Sequence, residues 1–238
     1  MNDVSNPEFI WQVESLRFTL FCSSNDKQTD SSLWEKITGL PPESRTNRPQ
    51  ERLSVEEGLW DNNQLSVVVR PDRIDVIIAS SPIIIPELPN IGQLEVIISK
   101  IPNLLDKLLF NEVTRIAFGL VLLHTEQDHS SAYKTLAKLL PNVRIQPDAR
   151  EFIYQINLPT TSKNELSIEI NRLQHWSAVF VEFMNVADLN RVKLFATRVE
   201  LDISTDKDGL LPASSNIRNL MDELIEEAIA IVKGKNHV

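Results

Sequence analysis

Glycine is scarce in this 238-residue chain: six residues, at positions 39, 58, 92, 119, 209 and 234, with no two closer than 19 positions. A phosphate cradle needs closely spaced glycines, so that several backbone N–H groups converge on one anion without Cβ clashes. Neither a Walker A loop nor a dinucleotide fingerprint can be written here, and nucleotide enzymes of those kinds are excluded. Cysteine is scarcer still. Cys22 is alone, so no internal disulfide can form, and it ends an apolar strand with no histidine near it in sequence. It is expected as a buried small residue in a chain from a reducing compartment, hence a cytoplasmic location. No Gly-x-Ser-x-Gly elbow occurs, which removes the esterase-type serine. Aromatics are only 6% of the chain, a poor supply for stacking bases. Long apolar runs are absent too. IIIPELPNIGQLEVIISKIP is broken by prolines and charges, short of the ~18 apolar residues of a membrane span. MNDVSNPEFIWQVES has acidic residues where a secretory signal needs basic ones, so no targeting peptide and no membrane partner are expected. Positive charge is in deficit: the net charge is −9, six of it on residues 1–119 and three on the rest. The average surface would repel phosphate backbones.

What is present is a recurring order of landmarks. LRFTLFCSSNDKQTDSSLWEKITGLP and TRIAFGLVLLHTEQDHSSAYKTLAKLLP each give an apolar strand opened by an arginine (Arg17, Arg115), a polar loop ending in Ser-Ser, a short amphipathic helix and a Leu-Pro stop. Ser32 with Glu35 reads as a capping box. NQLSVVVRPDRIDVIIAS matches NELSIEINRLQHWSAVFVEF, each read as two strands joined by a turn, with a further strand before each pair at RLSVEEG and EFIYQINLP. Each half closes on a long amphipathic helix. The first carries Leu94, Ile97, Ile98, Ile101, Leu105 and Leu108 on one face and is kinked or split by Pro102. The second carries Ile217, Leu220, Met221, Leu224, Ala228, Ile231 and Val232 and stops at Gly234.

The expected fold is α+β: a tandem duplication of a β-α-β-β-β-α unit forming mainly antiparallel sheet covered by helices on one face, with KLFATRVELDIS as an additional strand. The repeats would be residues 1–112 and 113–238, as two domains or one continuous one. Duplicated β-α-β units of this sort occur in sliding clamps and in the TATA-binding fold, an analogy of architecture only.

Arg17-Phe18, Thr114-Arg115-Ile116 with Gly119-Leu120, Leu201-Asp202-Ile203, and Leu224-Ile225-Glu226-Glu227 together resemble a sporadically distributed family of uncharacterised bacterial proteins. The chain departs from that pattern at Val121, where the family carries an arginine. The resemblance implies no defined activity.

Several residue groups are candidates for chemistry or contact. His124, Glu126, Asp128 and His129 are loop residues too irregularly spaced for a tetrahedral zinc site. LDISTDKDGLL gathers Asp202, Asp206 and Asp208 near Gly209. If Asp206 and Asp208 are the third and fifth ligands of a calcium loop, the first and twelfth positions are Ser204 and Ser215, where carboxylates are required. The segment reads instead as the connection to the last helix, capped by Ser214 or Ser215. No metal and no cofactor are expected. Strand alternation puts Arg198, Glu200 and Asp202 on one sheet face, with Glu169 similarly placed. That face is open or covered by a partner, with Glu169, Glu200 and Asp202 as carboxylates for a metal-dependent hydrolase or nuclease. Arg45, Arg48 and Arg52 form a local basic loop able to meet nucleic acid. Ile83, Ile84 and Ile85, held between prolines, read as an apolar contact or as a loop tucked on the core. Trp176 beside His175 at a turn reads as core, rim or contact surface. Asp222, Glu223, Glu226 and Glu227 read as an acidic outer face of the last helix.

The expected function is a non-catalytic protein-interaction or scaffold subunit of a bacterial cytosolic complex, contacting another protein or another copy of itself. A metal-dependent hydrolase or nuclease, and nucleic-acid binding through the arginine loop, are the contrasting expectations.

Overall fold

The computed structural model describes residues 9–23, 32–81, 87–107, 113–146, 149–164, 168–184, 191–206, 211 and 216–234. In chain order its elements are β1 (Gln12–Cys22), α1 (Leu33–Thr38), β2 (Ser44–Arg48), a 3-10 turn (Pro49–Glu51), β3 (Leu53–Trp60), β4 (Asn63–Arg70), β5 (Arg73–Ala79) and α2 (Leu94–Leu105). There follow β6 (Val113–Glu126), α3 (His129–Leu139), β7 (Ile153–Asn157), β8 (Thr160–Thr161), β9 (Glu169–Met184), β10 (Arg191–Thr205) and α4 (Ile217–Val232). The ten strands form one sheet in the order β2-β3-β4-β5-β1-β6-β10-β9-β7, with β8 also beside β9, and every pairing is antiparallel. The expectation of an α+β fold with mainly antiparallel sheet holds. Among the described residues no helix is long and apolar enough to cross a membrane.

Alternation divides the sheet into two chemically different faces. Leu16, Phe18 and Leu20 of β1, Ile116, Phe118 and Leu120 of β6, and Val199, Leu201 and Ile203 of β10 share one face and one core with the apolar sides of the helices. Phe18 and Phe118 are paired across the central strands, ring centres 5.2 Å apart. The helices are set locally, as the sequence indicates. Ser32 Oγ accepts from Glu35 N at 3.1 Å and Gly39, at φ 77°, ends α1 in the left-handed conformation that favours glycine. Asp128 caps α3, accepting from Ser131 N at 2.7 Å, and Asn216, not the expected Ser214 or Ser215, caps α4, accepting from Asn219 N at 3.1 Å. Backbone N–H donation from Ser131 holds the Asp128 carboxyl below the ordinary aspartate range. Ser214 and Ser215 lie outside the described residues, as do Asp208 and Gly209. Pro102 sits in the last turn of a helix that continues through it.

Three strand assignments change. NELSIEINRLQHWSAVFVEF contains no turn among its described residues: Glu169–Met184 is one strand, and its hairpin partner is β10, the strand expected to be additional. His175 and Trp176 therefore lie mid-strand, and Trp176 is fully buried, so it is not a contact surface. The polar segment around Arg45 is not a loop; Ser44–Arg48 is an edge strand paired with β3.

The last helix also differs. Glu223 and Glu227 are buried, not part of a solvated acidic face. Glu223 accepts from Ser162 Oγ at 2.7 Å, Lys163 N at 2.6 Å and Asn164 Nδ2 at 3.1 Å, while Glu227 accepts from Lys163 Nζ at 2.8 Å and Arg172 NH1 at 3.0 Å. Only a fold that lays the 162–164 segment over α4 can supply these partners, so helical periodicity could not reveal them.

β1 and β6 pair from Gln12 to Cys22, and one apolar core runs beneath both. Calorimetry should therefore give one cooperative transition with equal calorimetric and van't Hoff enthalpies. Two separated transitions would show that the halves unfold independently.

Candidate functional site

The second face of the central sheet carries the polar alternates. Ile77, Arg17, Gly119, Asp202 and Leu173 are register partners across β5, β1, β6, β10 and β9. One row along, Ser15, Val121, Glu200, His175 and Gln155 pair across β1, β6, β10, β9 and β7. Ile77 and Gln155 are five strand spacings apart, about 24 Å along the sheet, yet both line one cleft of about 400 Å³. That volume falls within the ordinary range of ligand sites. By contrast, the pocket beneath α2, lined by Leu16, Ile97 and Ile101, offers only about 10 Å³.

The charges in the cleft are coupled across strands. Arg17 NH2 lies 3.5 Å from Asp202 Oδ2, both side chains being partly exposed. Arg17 Nε and Asp202 Oδ1 are shielded from solvent and have no hydrogen-bond partner among the described residues. Such orphaned groups are uncommon in folded proteins. A Cβ at Gly119 would stand in ordinary contact, 3.5 Å from Arg17 Nε and 3.6 Å from Arg17 NH2, so a larger side chain there would extend into the cleft. Arg198 Nε donates to Glu14 Oε2 at 3.0 Å and its NH1 to Glu200. His175 Nδ1 lies 3.5 Å from the same Glu200 oxygen. Further along, buried Asp75 accepts from Thr19 Oγ1 at 2.7 Å and from Arg70 and Arg73 at 2.8 Å.

Glu200 and Asp202 thus stand together on the face opposite the described helices with Arg198, as alternation indicates. Glu169 does not join them: it is four residues along β9 from Leu173, about 13 Å away at the strand rise. Among the described residues no group of three His, Cys, Asp or Glu side chains is disposed to hold a metal ion. His124 contacts the Ile10 carbonyl at 2.9 Å, and Asp128 is engaged as a cap.

The three loop arginines do not converge. Arg45 pairs with buried Glu56 at 2.7 Å on the helix side of β2, Arg48 faces the other way beside Glu51 at 3.6 Å, and Arg52 follows the 3-10 turn at φ 49°. Ile83, Ile84 and Ile85 lie outside the described residues. Sequence reading missed Arg17, Gly119 and His175 as site residues. One signal was available: Arg17, Gly119 and Asp202 each belong to a motif that carries the family resemblance, and the fold brings all three into one row. Comparison with family models, curated proteins and solved structures found no match to this chain.

Proposed function

We propose that this chain is a non-catalytic interaction subunit of a bacterial cytosolic complex, and that its partner protein seats in the cleft on the sheet face opposite the described helices. The observation that carries the reading is the cleft itself: about 400 Å³, with mixed charges and, among the described residues, two orphaned polar atoms at its centre. Side-chain donors and acceptors from four strands, β1, β7, β9 and β10, suit recognition of a polar protein surface, where desolvated hydrogen-bonding groups give specificity. Membership in the sporadically distributed bacterial family belongs to the same reading, supported by the convergence of Arg17, Gly119 and Asp202.

We also read the fold as a duplication. Support comes from element order, β1-α1-β3-β4-β5-α2 followed by β6-α3-β7-β9-β10-α4, and from strand order, β3-β4-β5-β1 on one side mirrored by β6-β10-β9-β7 on the other. β2, the 3-10 turn and β8 are then the elements without counterparts.

Gly119→Trp tests the cleft. Its backbone is not in the left-handed region, so the indole should fill the cleft and leave the fold intact by circular dichroism. Proteins that co-purify with the tagged chain from its native cell should be lost from Gly119→Trp and retained by Glu226→Ala, a change on the exposed side of α4. Undiminished co-purification with Gly119→Trp would overturn the reading. The enzyme alternative rests on one observation, the His175–Glu200 pair at 3.5 Å in the cleft, since a positioned imidazole and carboxylate are the minimum of acid–base chemistry. Hydrolysis of model phosphodiesters or esters that disappears in Glu200→Gln would favour it.

A further inference from the structure

The hairpin of β9 and β10 runs past the rest of the sheet. On its outer side β7 ends at Ile153, opposite Ser177; on its inner side β6 ends at Glu126, opposite Phe195. The two strands stay paired to each other as far as Met184 and Arg191. Residues 178–184 and 191–194 thus form a two-stranded ribbon, and among the described residues no further strand pairs with either edge. An open strand edge is a template for another strand unless charge, proline or a bulge blunts it.

Residues 178–184 contain no proline and their register with β10 has no bulge. Phe180 is 52% exposed, Met184 58% and Val192 39%, and Ile153, 68% exposed, stands at the foot of the ribbon. Val179, Val181 and Leu194 line one side of the ribbon, packed on Leu123 and Ala196. On the other side Phe180 contacts Phe195, ring centres 6.1 Å apart, with Lys193 Nζ 5.0 Å from the Phe180 ring. Glu182 pairs there with Arg191 at 3.1 Å and Lys193 at 3.4 Å, so both signs of charge share that side.

Backbone direction fixes which groups are free. The carbonyls of Arg172 and Ile168 accept from Leu158 and Ser162 on the outer side of β9, whereas that of Glu169 accepts from Asp206 on the inner side. By antiparallel alternation Ala178, Phe180 and Glu182 turn their N–H and C=O groups to the open edge. The open stretch 178–184 has Val181 at its midpoint.

We propose that a second copy of this chain pairs on this edge, β9 antiparallel to β9 about a twofold axis at Val181, making one sheet continuous through both copies. A strand related to itself by a twofold is antiparallel to itself, so one edge serves both copies. In this register Phe180 stands opposite Glu182 of the second copy, Val179 opposite Phe183, Ala178 opposite Met184, and Val181 meets itself. A twofold at Glu182 would instead set two carboxylates face to face, which is unfavourable. The chosen register uses the whole open edge. This surface is separate from the cleft, so its failure leaves the cleft reading untouched.

Sedimentation of the purified full chain at micromolar concentration should give a dimer. Phe180→Pro removes an N–H that faces the open edge and none that faces β10, so it should sediment as a monomer with its circular dichroism unchanged. Val181→Cys decides the matter even if the proline variant fails to fold. Residue 181 faces its copy as a non-hydrogen-bonded pair with Cα atoms about 4.5 Å apart, within disulfide reach. Mild oxidation should convert it to a covalent dimer, native Cys22 being buried. A monomeric wild type, a dimer that survives Phe180→Pro in a folded chain, or Val181→Cys that stays uncrosslinked would each overturn the proposal.

Discussion

Trp176→Ala should lower the stability of this protein by about 3–5 kcal/mol, a drop in melting temperature of roughly 10 °C for a chain of this size. Trp176 is fully buried at mid-strand, opposite Val199 on β10 and Tyr154 on β7, and its ring lies edge-on to Trp11 at 6.5 Å. Its indole N–H donates to Gln174 Oε1 at 3.1 Å, and Gln174 is itself buried. Truncation therefore opens a cavity and removes a donor from a buried amide oxygen. Both losses act on the folded state, so in urea the midpoint should fall while the slope stays constant. Trp176→Phe keeps most of the volume and should lose clearly less. If Trp176→Ala unfolded at the wild-type midpoint, the residue would not be buried as described.

Glu227→Ala should cost about 3 kcal/mol, because it removes a carboxylate partner from a largely buried cation that keeps its bond to the Leu158 carbonyl. Arg172 is 13% exposed, and Glu227 is the carboxylate it pairs with; the exposed Lys163 also pairs there and loses less. The pairing with Glu227 is what raises the Lys163 ammonium above the usual lysine range. Glu227→Gln keeps an acceptor for Arg172 and should lose less than alanine does. The neighbouring Glu223 supplies the pH dependence. Burial pushes its carboxyl upward, but donation from Lys163 N, Ser162 Oγ and Asn164 outweighs burial and leaves it below the ordinary glutamate range. A carboxyl depressed in the folded state contributes stability fully above its unfolded value, about 4.3, and loses it as pH falls through the folded value. Urea unfolding of Glu223→Gln and wild type should therefore differ most near neutrality and converge in acid. A constant difference across that range would show that the Glu223 carboxyl titrates alike in both states.

These two sites show where sequence reading succeeded and failed. The polar alternates Arg198, Glu200 and Asp202, the apolar stripe of the last helix and the Ser32 cap were legible because each depends on neighbours within a few positions. Trp176 was placed at a turn because QHWS interrupts an otherwise apolar run. Polar Gln174 and Ser177 in fact enter buried positions, where Gln174 has a partner in the indole. Glu223 and Glu227 looked solvated because their partners, Ser162 to Asn164 and Arg172, lie 55 to 64 residues away.

By itself the sequence determined the polar face of β10, the apolar stripe of the long helices and the absence of a phosphate cradle, since these follow from period and composition. Only the tertiary structure decided that β10, not a third hairpin, lies beside β6, and that Arg17 and Asp202, 185 residues apart, meet over Gly119. It alone left the β9–β10 ribbon beyond the shorter β6 and β7. Register and strand length are settled by which backbone groups find partners across the chain, and no local pattern carries that information.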